Sequence, residues 1–426
     1  MLNRIITIAI FSTIFLSSLV LFKEPFEFYL PYLFIVILLP FFTLKYPFPR
    51  QILPLLAFLL LFGLVNIWSG ENTYPFFLKI YINLFISILF YYYVFEAYNM
   101  DVKLLFSFYM KGALIVAVIG LIQFISFKIG FEYGYNLKLY GLNKWGVARG
   151  GSMGIRINSI FSEPSYFGAT IAPAVFISLY NILKNQHHYL SKIQSLIIII
   201  TYLLTFSSVA YMGLFIILVL MLMNFGFVRY VIIFVPIIIG GYLYLYYNVN
   251  EFRERIDGMD ALYENKAKSA FEVHGSSFVQ FNNTHIATQN FIKNPLFGTG
   301  LGSHQIAYGK YSLVKQYGGI NDFNSQDANS MFLRLMSETG LFGILFMILF
   351  IIKFFLLRKN DHSDTELWLI SNAVLVLILL QLFRQGNYTY SGFMFFMWMY
   401  YFVKKEAMTA TAVEKQALTD EALKLE

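Results

Sequence analysis

The chain has 426 residues, of which 58% are hydrophobic and 19% aromatic against only 13% charged, with a mean hydropathy of +0.62. Soluble domains draw about a quarter of their residues from Asp, Glu, Lys and Arg, so this composition excludes a water-soluble globular enzyme and predicts a membrane protein. The formal charge of +7 then reflects basic cytoplasmic loops and implies no nucleic acid, and the absence of cysteine excludes disulfides, thiolate metal sites and a cysteine nucleophile.

A membrane-crossing helix needs about 20 apolar residues. About twelve runs fit, at 5–22, 28–44, 52–68, 77–95, 104–127, 166–183, 193–209, 211–227, 230–247, 329–357, 367–383 and 391–403, the second and last being short. The first has a basic start but no small-residue cleavage site before Lys23, so it reads as a retained span and not a signal peptide. Loop charge alternates. Arg4, Lys45 with Arg50, Lys103, Lys184 with Lys192, Arg229, Arg358 with Lys359, and Lys404 with Lys405 fall on one side. The short loops 69–75 and 385–390 on the other side hold no Lys or Arg, and 23–27 holds one Lys. By the positive-inside rule both termini are cytoplasmic, and two long loops, about 128–165 and 248–328, face the opposite side. The expected fold class is an all-α polytopic membrane protein of about twelve spans. Residues 1–405 form one integral membrane domain and 406–426 a charged, Ala-rich cytoplasmic tail without chemistry. The two halves show no repeat of the kind on which many transporters are built.

The first long loop carries Lys128, Lys138, Lys144, Arg149 and Arg156 against Glu132 and Glu163, with Tyr133, Tyr135, Tyr140, Trp145 and the glycine cluster RGGSMG. Cations with aromatics suit a ligand of sugar and phosphate, since guanidinium grips phosphate oxygens bidentately. The tyrosines are equally explained as headgroup-level aromatics. Arg156 and Glu163 differ, because they stand where the chain re-enters the membrane at Pro164, a place where charge is costly unless paired or used.

The second long loop opens with Arg253 and Arg255, either an amphipathic surface helix with ion pairs such as Glu251–Arg255 or cations at the mouth of a cavity. His274, His285 and His304 match no metal-ligand spacing, so no metal is expected. The segment GTGLGSH has the glycines of a phosphate loop without its Gly-Lys-Ser/Thr ending. It reads as a tight turn presenting backbone N–H groups and His304. Asp327 and Asn329 read as helix caps, and Glu338 lies deep enough in the following helix to require a partner.

The segments RINSIFSEPSYFG and NPLFGTGLGS…ANSMFLRLMSETGLFG, in this order and on these loops, resemble the O-antigen polymerase and ligase superfamily of bacterial envelope glycosyltransferases. The resemblance covers roughly residues 156–355. It implies a GT-C-like inner-membrane enzyme that takes a glycan from undecaprenyl pyrophosphate at the periplasmic face and transfers it to an acceptor sugar. No cofactor is implied; the implied partners are the lipid-linked oligosaccharide, the bilayer, and chain-length regulator and flippase proteins. It further implies that Arg156 and one of Arg253 or Arg255 grip the pyrophosphate, and that Glu338 and Asn329 belong to the substrate-binding motifs. Ligases of this superfamily carry a His directly before the Asn of the post-loop helix; here that position is Ala328, which favours polymerase over ligase. Transfer from a pyrophosphate needs fixed cations where charge develops and a general base for the attacking hydroxyl. The candidate bases are His304, Asp327 and Glu163. A lipid-linked oligosaccharide transporter and a non-catalytic envelope scaffold are the competing readings.

Overall fold

Helix occupies the larger part of the apolar runs, although 20–22 and 28–29 pair as strands and 204–207 is irregular, and the punctuation between helices is local and chemical. In the computed structural model, which describes residues 2–425 apart from 23, 25–26, 144, 150–153, 226–227, 319–322 and 358–364, the helices are α1 (Leu2–Phe15), α2 (Leu30–Lys45), α3 (Leu53–Trp68), α4 (Tyr74–Ala97), α5 (Val102–Lys128), α6 (Glu132–Tyr135), α7 (Pro164–Lys184) and α8 (Lys192–Leu203). They continue as α9 (Ser208–Phe225), α10 (Val228–Asn248), α11 (Asn250–Tyr263), α12 (Gly275–Lys293), α13 (His304–Tyr311), α14 (Met331–Phe354), α15 (Thr365–Arg384) and α16 (Phe393–Leu425). Proline stands in the first turn of α2, α3, α4 and α7, where its missing N–H costs nothing. Asp101 caps α5 by accepting the Leu104 N–H at 2.9 Å, and Ser191 with Gln194 forms a capping box on α8.

Among the described residues six helices are long and apolar enough to cross a membrane: α4, α5, α7, α14, α15, and α3 with its preceding turn. Shorter apolar helices cover Asn3–Phe15, Leu30–Lys45, Lys192–Leu203 and Ser208–Asn224. The protein is an all-α membrane protein. Burial orders the bundle: 78% of the apolar window is buried in α7 and in α15 but 22% in α3, so the first two form the centre and α3 lies at the edge. Leu61, Val65 and Trp68 on α3 are exposed, as lipid-facing side chains are. In water such a band would be an aggregation surface.

Two small hairpins interrupt the helices. β1 (Val20–Phe22) pairs antiparallel with β2 (Phe28–Tyr29), and β3 (Ala148–Arg149) with β4 (Ile155–Arg156), Ala148 opposite Arg156. The large polar loop is ordered around a core of its own, in which Leu262, Phe278, Ile286, Tyr308, Val314 and Tyr317 bring α11, α12 and α13 together.

One expectation needs correction. Neither Asp327 nor Asn329 caps α14. The cap is Ser330, whose hydroxyl accepts the Leu333 N–H at 3.3 Å, while Ala328 and Asn329 adopt left-handed backbone at φ 57° and 54°. Beyond residue 405 the chain continues as helix, because α16 runs from Phe393 to Leu425.

Candidate functional site

Arg156 and Glu163 are delivered by a segment that folds back into the bundle. Asn158 and Ser159 both donate their backbone N–H to Gln123 Oε1 on α5, at 3.1 and 2.9 Å, and Gln123 Nε2 donates to Asn158 Oδ1 at 3.0 Å. The Ser159 hydroxyl donates to the Val116 carbonyl, and Ser162 N–H to the Ser18 hydroxyl at the end of α1. Every one of these groups is buried. The motif RINSIFSEP is therefore a backbone plug whose polar atoms are satisfied by α1 and α5, as non-helical chain at membrane depth requires. Arg156 is left half-buried at one end and Glu163 exposed at the other, where it accepts from Ser165 at 2.8 Å.

The second motif pair is one device. Helix α14 breaks at Gly340, with φ 60° and ψ −151°, a region open essentially only to glycine. The loop before α13 fills the break: Leu341 and Phe342 donate N–H to the Pro295 and Leu296 carbonyls at 2.8 and 3.0 Å, and Gly300 N–H donates to the Glu338 carbonyl at 2.7 Å. Asn290 on α12 clamps Thr299 to Ser337 from the side. The two glycine-rich stretches thus satisfy each other's backbone.

Glu338 sits at this break, fully buried. Arg334, one turn earlier, donates Nε–H to its Oε1 at 2.9 Å, and the Tyr388 hydroxyl donates to Oε2 at 3.0 Å. Arg334 lies 4.3 Å over the Tyr388 ring and also donates to the Gly386 carbonyl at 2.9 Å. Burial, with the Glu338 carboxylate beside it, holds the Tyr388 proton well above its ordinary range. The Arg334–Glu338 pair fixes the loop after α15 against α14. A Cβ on Gly386 would collide with the Asp327 carbonyl, so that loop and the start of α14 are in backbone contact.

His304 is fully buried within the same region. Its Nε2–H donates to Asn283 Oδ1 at 3.1 Å, a tautomer set by the network. Burial, and secondarily the nearby Arg334 guanidinium, push its imidazole down to about 3, so it is neutral at any physiological pH.

Beside these scaffolding groups lie a cationic cluster and a cavity. Arg156 and Arg255 are both within electrostatic reach of Tyr211 on α9, and Arg255 is within reach of Arg384 at the end of α15. Arg384 donates to Gln280 on α12 at 2.7 Å and feels Glu163. Arg255 points its Nε at His274 Nε2 across 3.5 Å. Arg156, Arg255 and Arg384, with the Glu163 carboxylate, thus come from separate segments into one electrostatic neighbourhood. Arg253 is exposed and bonds Asn250 within its own helix, outside the cluster.

The cavity, about 270 Å³, is walled by the end of α1, the start of α2, α4, residues 162–166 and residues 385–390. Its lining combines tyrosines, hydroxyls and amides with one carboxylate, Asp327. Asp327 Oδ1 accepts Asn329 N–H at 3.1 Å and Asn324 Nδ2 at 3.0 Å, which holds the carboxylate at the wall. Tyr166 and Gln385 line the cavity while their chain neighbourhoods carry Glu163 and Arg384, so cavity and arginine cluster adjoin.

Of the residues singled out in the sequence, the structure brings Arg156, Arg255 and Glu163 together and puts Asp327 at the cavity. His304 and Glu338 are buried and engaged by protein partners, and Asn329 serves through its backbone. Sequence reasoning passed over Arg384, Gln123 and Arg334. Arg384 ends an apolar run, where an arginine ordinarily reads as a headgroup anchor. The four-residue spacing of Arg334 and Glu338 was a usable signal. Among the described residues no group of three or more His, Asp or Glu could hold a metal ion. No family model and no curated protein matches this chain.

Proposed function

We propose that the protein is a polymerase of O-antigen or a related surface polysaccharide, a twelve-span GT-C-like enzyme of the bacterial inner membrane. It transfers a glycan from undecaprenyl pyrophosphate to the acceptor sugar of another lipid-linked repeat unit on the periplasmic side. The observation that carries this reading is the convergence of Arg156, Arg255 and Arg384 from three segments beside a polar, aromatic cavity holding one carboxylate.

The acceptor hydroxyl oxygen attacks the anomeric carbon of the donor, and the bond from that carbon to the pyrophosphate oxygen breaks. The electron pair leaves on the pyrophosphate, and the hydroxyl proton passes to Asp327. Charge grows on the phosphate oxygens as the bond breaks, so fixed guanidinium groups stabilise the transition state more than the ground state. Arginine suits this role because it stays charged and offers paired N–H donors. A carboxylate base contributes on the order of 10²–10⁴ in rate. Asp327 takes precedence over His304, which is buried and already hydrogen-bonded, and over Glu163, which stands by Arg384 and steadies the cationic side. Glu338 acts as a positioning residue through Arg334 and Tyr388.

The test is the purified protein in liposomes with radiolabelled lipid-linked repeat units and no ion gradient. Lengthened glycan on the lipid is expected. A labelled unit that crosses the bilayer at unchanged length would make the protein a transporter and overturn this reading.

A further inference from the structure

The wall of the cavity carries more information than its volume. Aromatic faces and side-chain amides surround a space of about 270 Å³, room for about nine waters at ~30 Å³ each, the scale of one sugar ring. Tyr166 and Tyr390 stand with ring centroids 4.5 Å apart, and Asn83 Nδ2 donates to the Thr389 hydroxyl at 3.1 Å across the wall. Amides and hydroxyls of this kind both donate and accept, which matches sugar hydroxyls and the flat, apolar ring faces between them.

Among the described residues, the charged groups that line the cavity or act directly on its lining tyrosines are acidic, and the arginines stand outside the lining. Asp327 lines it directly, Glu27 accepts from the lining Tyr29, and Glu163 acts on the lining Tyr166. No Lys or Arg is among the described lining residues. Arg334, which Asp327 also influences, has its charge matched by Glu338. A sugar carboxylate brought here would meet like charge in a partly desolvated space, whereas an uncharged ring would lose nothing electrostatically.

We infer that this cavity is a specificity site for one uncharged sugar ring, a neutral hexose or N-acetylhexosamine, and that it excludes acidic sugars such as uronic acids. This deepens the transferase reading by assigning the cavity to the acceptor, but sugar binding here can be measured without any transfer. Specificity follows from two terms. The amide and hydroxyl wall favours rings whose hydroxyls it can bond over rings that lack them. Asp327 rejects rings that carry a carboxylate.

The experiment is saturation-transfer NMR on the full chain in lipid nanodiscs, free of glycoside detergent. The probes are methyl glucoside, methyl N-acetylglucosaminide and methyl glucuronide at pH 7. Saturable transfer is expected from a neutral glycoside, with glucuronide at least ~10-fold weaker. Asn83→Leu, close in size but without the amide, should weaken the neutral probe. Asp327→Asn should narrow the gap between neutral and acidic probes. Equal binding of glucuronide, no saturable neutral binding, or a discrimination unchanged in Asp327→Asn would overturn the assignment. Neutral binding with the expected discrimination in a protein that lengthens no glycan would support the cavity site and sink the transferase reading instead. Elongation without neutral-sugar binding would do the reverse.

Discussion

Arg156 stands at the end of a segment whose backbone is satisfied from two helices, so its side chain is positioned without depending on its own charge for folding. That separates two roles for it. If it grips pyrophosphate through paired N–H donors, Arg156→Lys loses the geometry while keeping the charge and polymer length collapses. A residue that merely anchors the loop would tolerate lysine. Chain-length distribution measured alongside membrane abundance decides the matter: short glycan at normal abundance is expected, and normal polymer would remove Arg156 from the phosphate site. Arg149→Lys, on the paired strand, should be far milder. His304 makes a second residue-scale prediction. The folded protein keeps its imidazole neutral down to about 3, whereas the unfolded chain takes up a proton below its ordinary value of 6.5. Between those values the unfolded state binds more protons, so stability falls as pH drops through that window, by up to ~1.4 kcal/mol per unit. Thermal unfolding at pH 7 and pH 4.5 should show a larger loss for the native protein than for His304→Gln, and no activity step near pH 6.5 should trace to this residue. In the sequence His304 follows a glycine turn and reads as presented by it, but the structure buries it completely. Its burial comes from α12 and α14, which a linear reading cannot bring alongside it.

At the scale of elements, the glycine-rich motifs turn out to be a joint. The short sequences NPLFGTG and SETGLFG stand nearly forty residues apart, yet each supplies the hydrogen bonds that the other's irregular backbone lacks. Their order and placement were readable in the chain, but their division of labour was not, because a buried structural glycine and a phosphate-binding one look alike without their contacts. Helix positions followed from apolar periodicity and from proline and Asx/Ser punctuation. What stayed hidden were the lateral contacts: Gln123 reaching the Asn158 turn, Arg384 reaching Gln280, and Arg334 reaching Gly386. Each partner lies on a different element, distant in sequence. The joint predicts a sharp response to a methyl group. A Cβ at Gly340 would stand 2.7 Å from the Gly298 nitrogen and the Pro295 oxygen, in a backbone region costing side chains on the order of 1–3 kcal/mol before any clash. Gly340→Ala should therefore lower the melting temperature in nanodiscs and the amount of protein in the membrane. Gly275→Ala, with open space around its Cβ position, should leave both unchanged. Equal stability of the two variants would mean that the break in α14 is not held by the loop.

Across the whole molecule, the features assigned to chemistry gather at one end. The starts of α7 and α14, the end of α15 and the two polar loops meet around Arg384, Asp327 and the cavity. At the other end α16 continues past Lys404 and Lys405 to Leu425. At 1.5 Å per residue its 33 residues extend about 50 Å, longer than the ~30 Å hydrocarbon core, so its polar C-terminal part must project beyond the bilayer. Lys and Arg flank that end while the loops 69–75 and 385–390 lack them, so the positive-inside rule predicts a cytoplasmic projection. On the proposed orientation the site would face the periplasm, where the proposed lipid-linked donor would be presented. Reporter tags after Gly130 and after Lys315 should therefore read periplasmic, and tags after Asn185 and after Lys405 cytoplasmic. The two sets test different links. If the tags after Asn185 and Lys405 read opposite to each other, the twelve-span count is wrong while the site may still face outward. If the tag after Lys315 reads cytoplasmic in a folded protein of normal abundance, Arg255, Arg384 and Asp327 stand on the side where nucleotide-activated sugars are available. A polymerase drawing on a lipid pyrophosphate outside the cell membrane could not work from there, whatever the arginines bind.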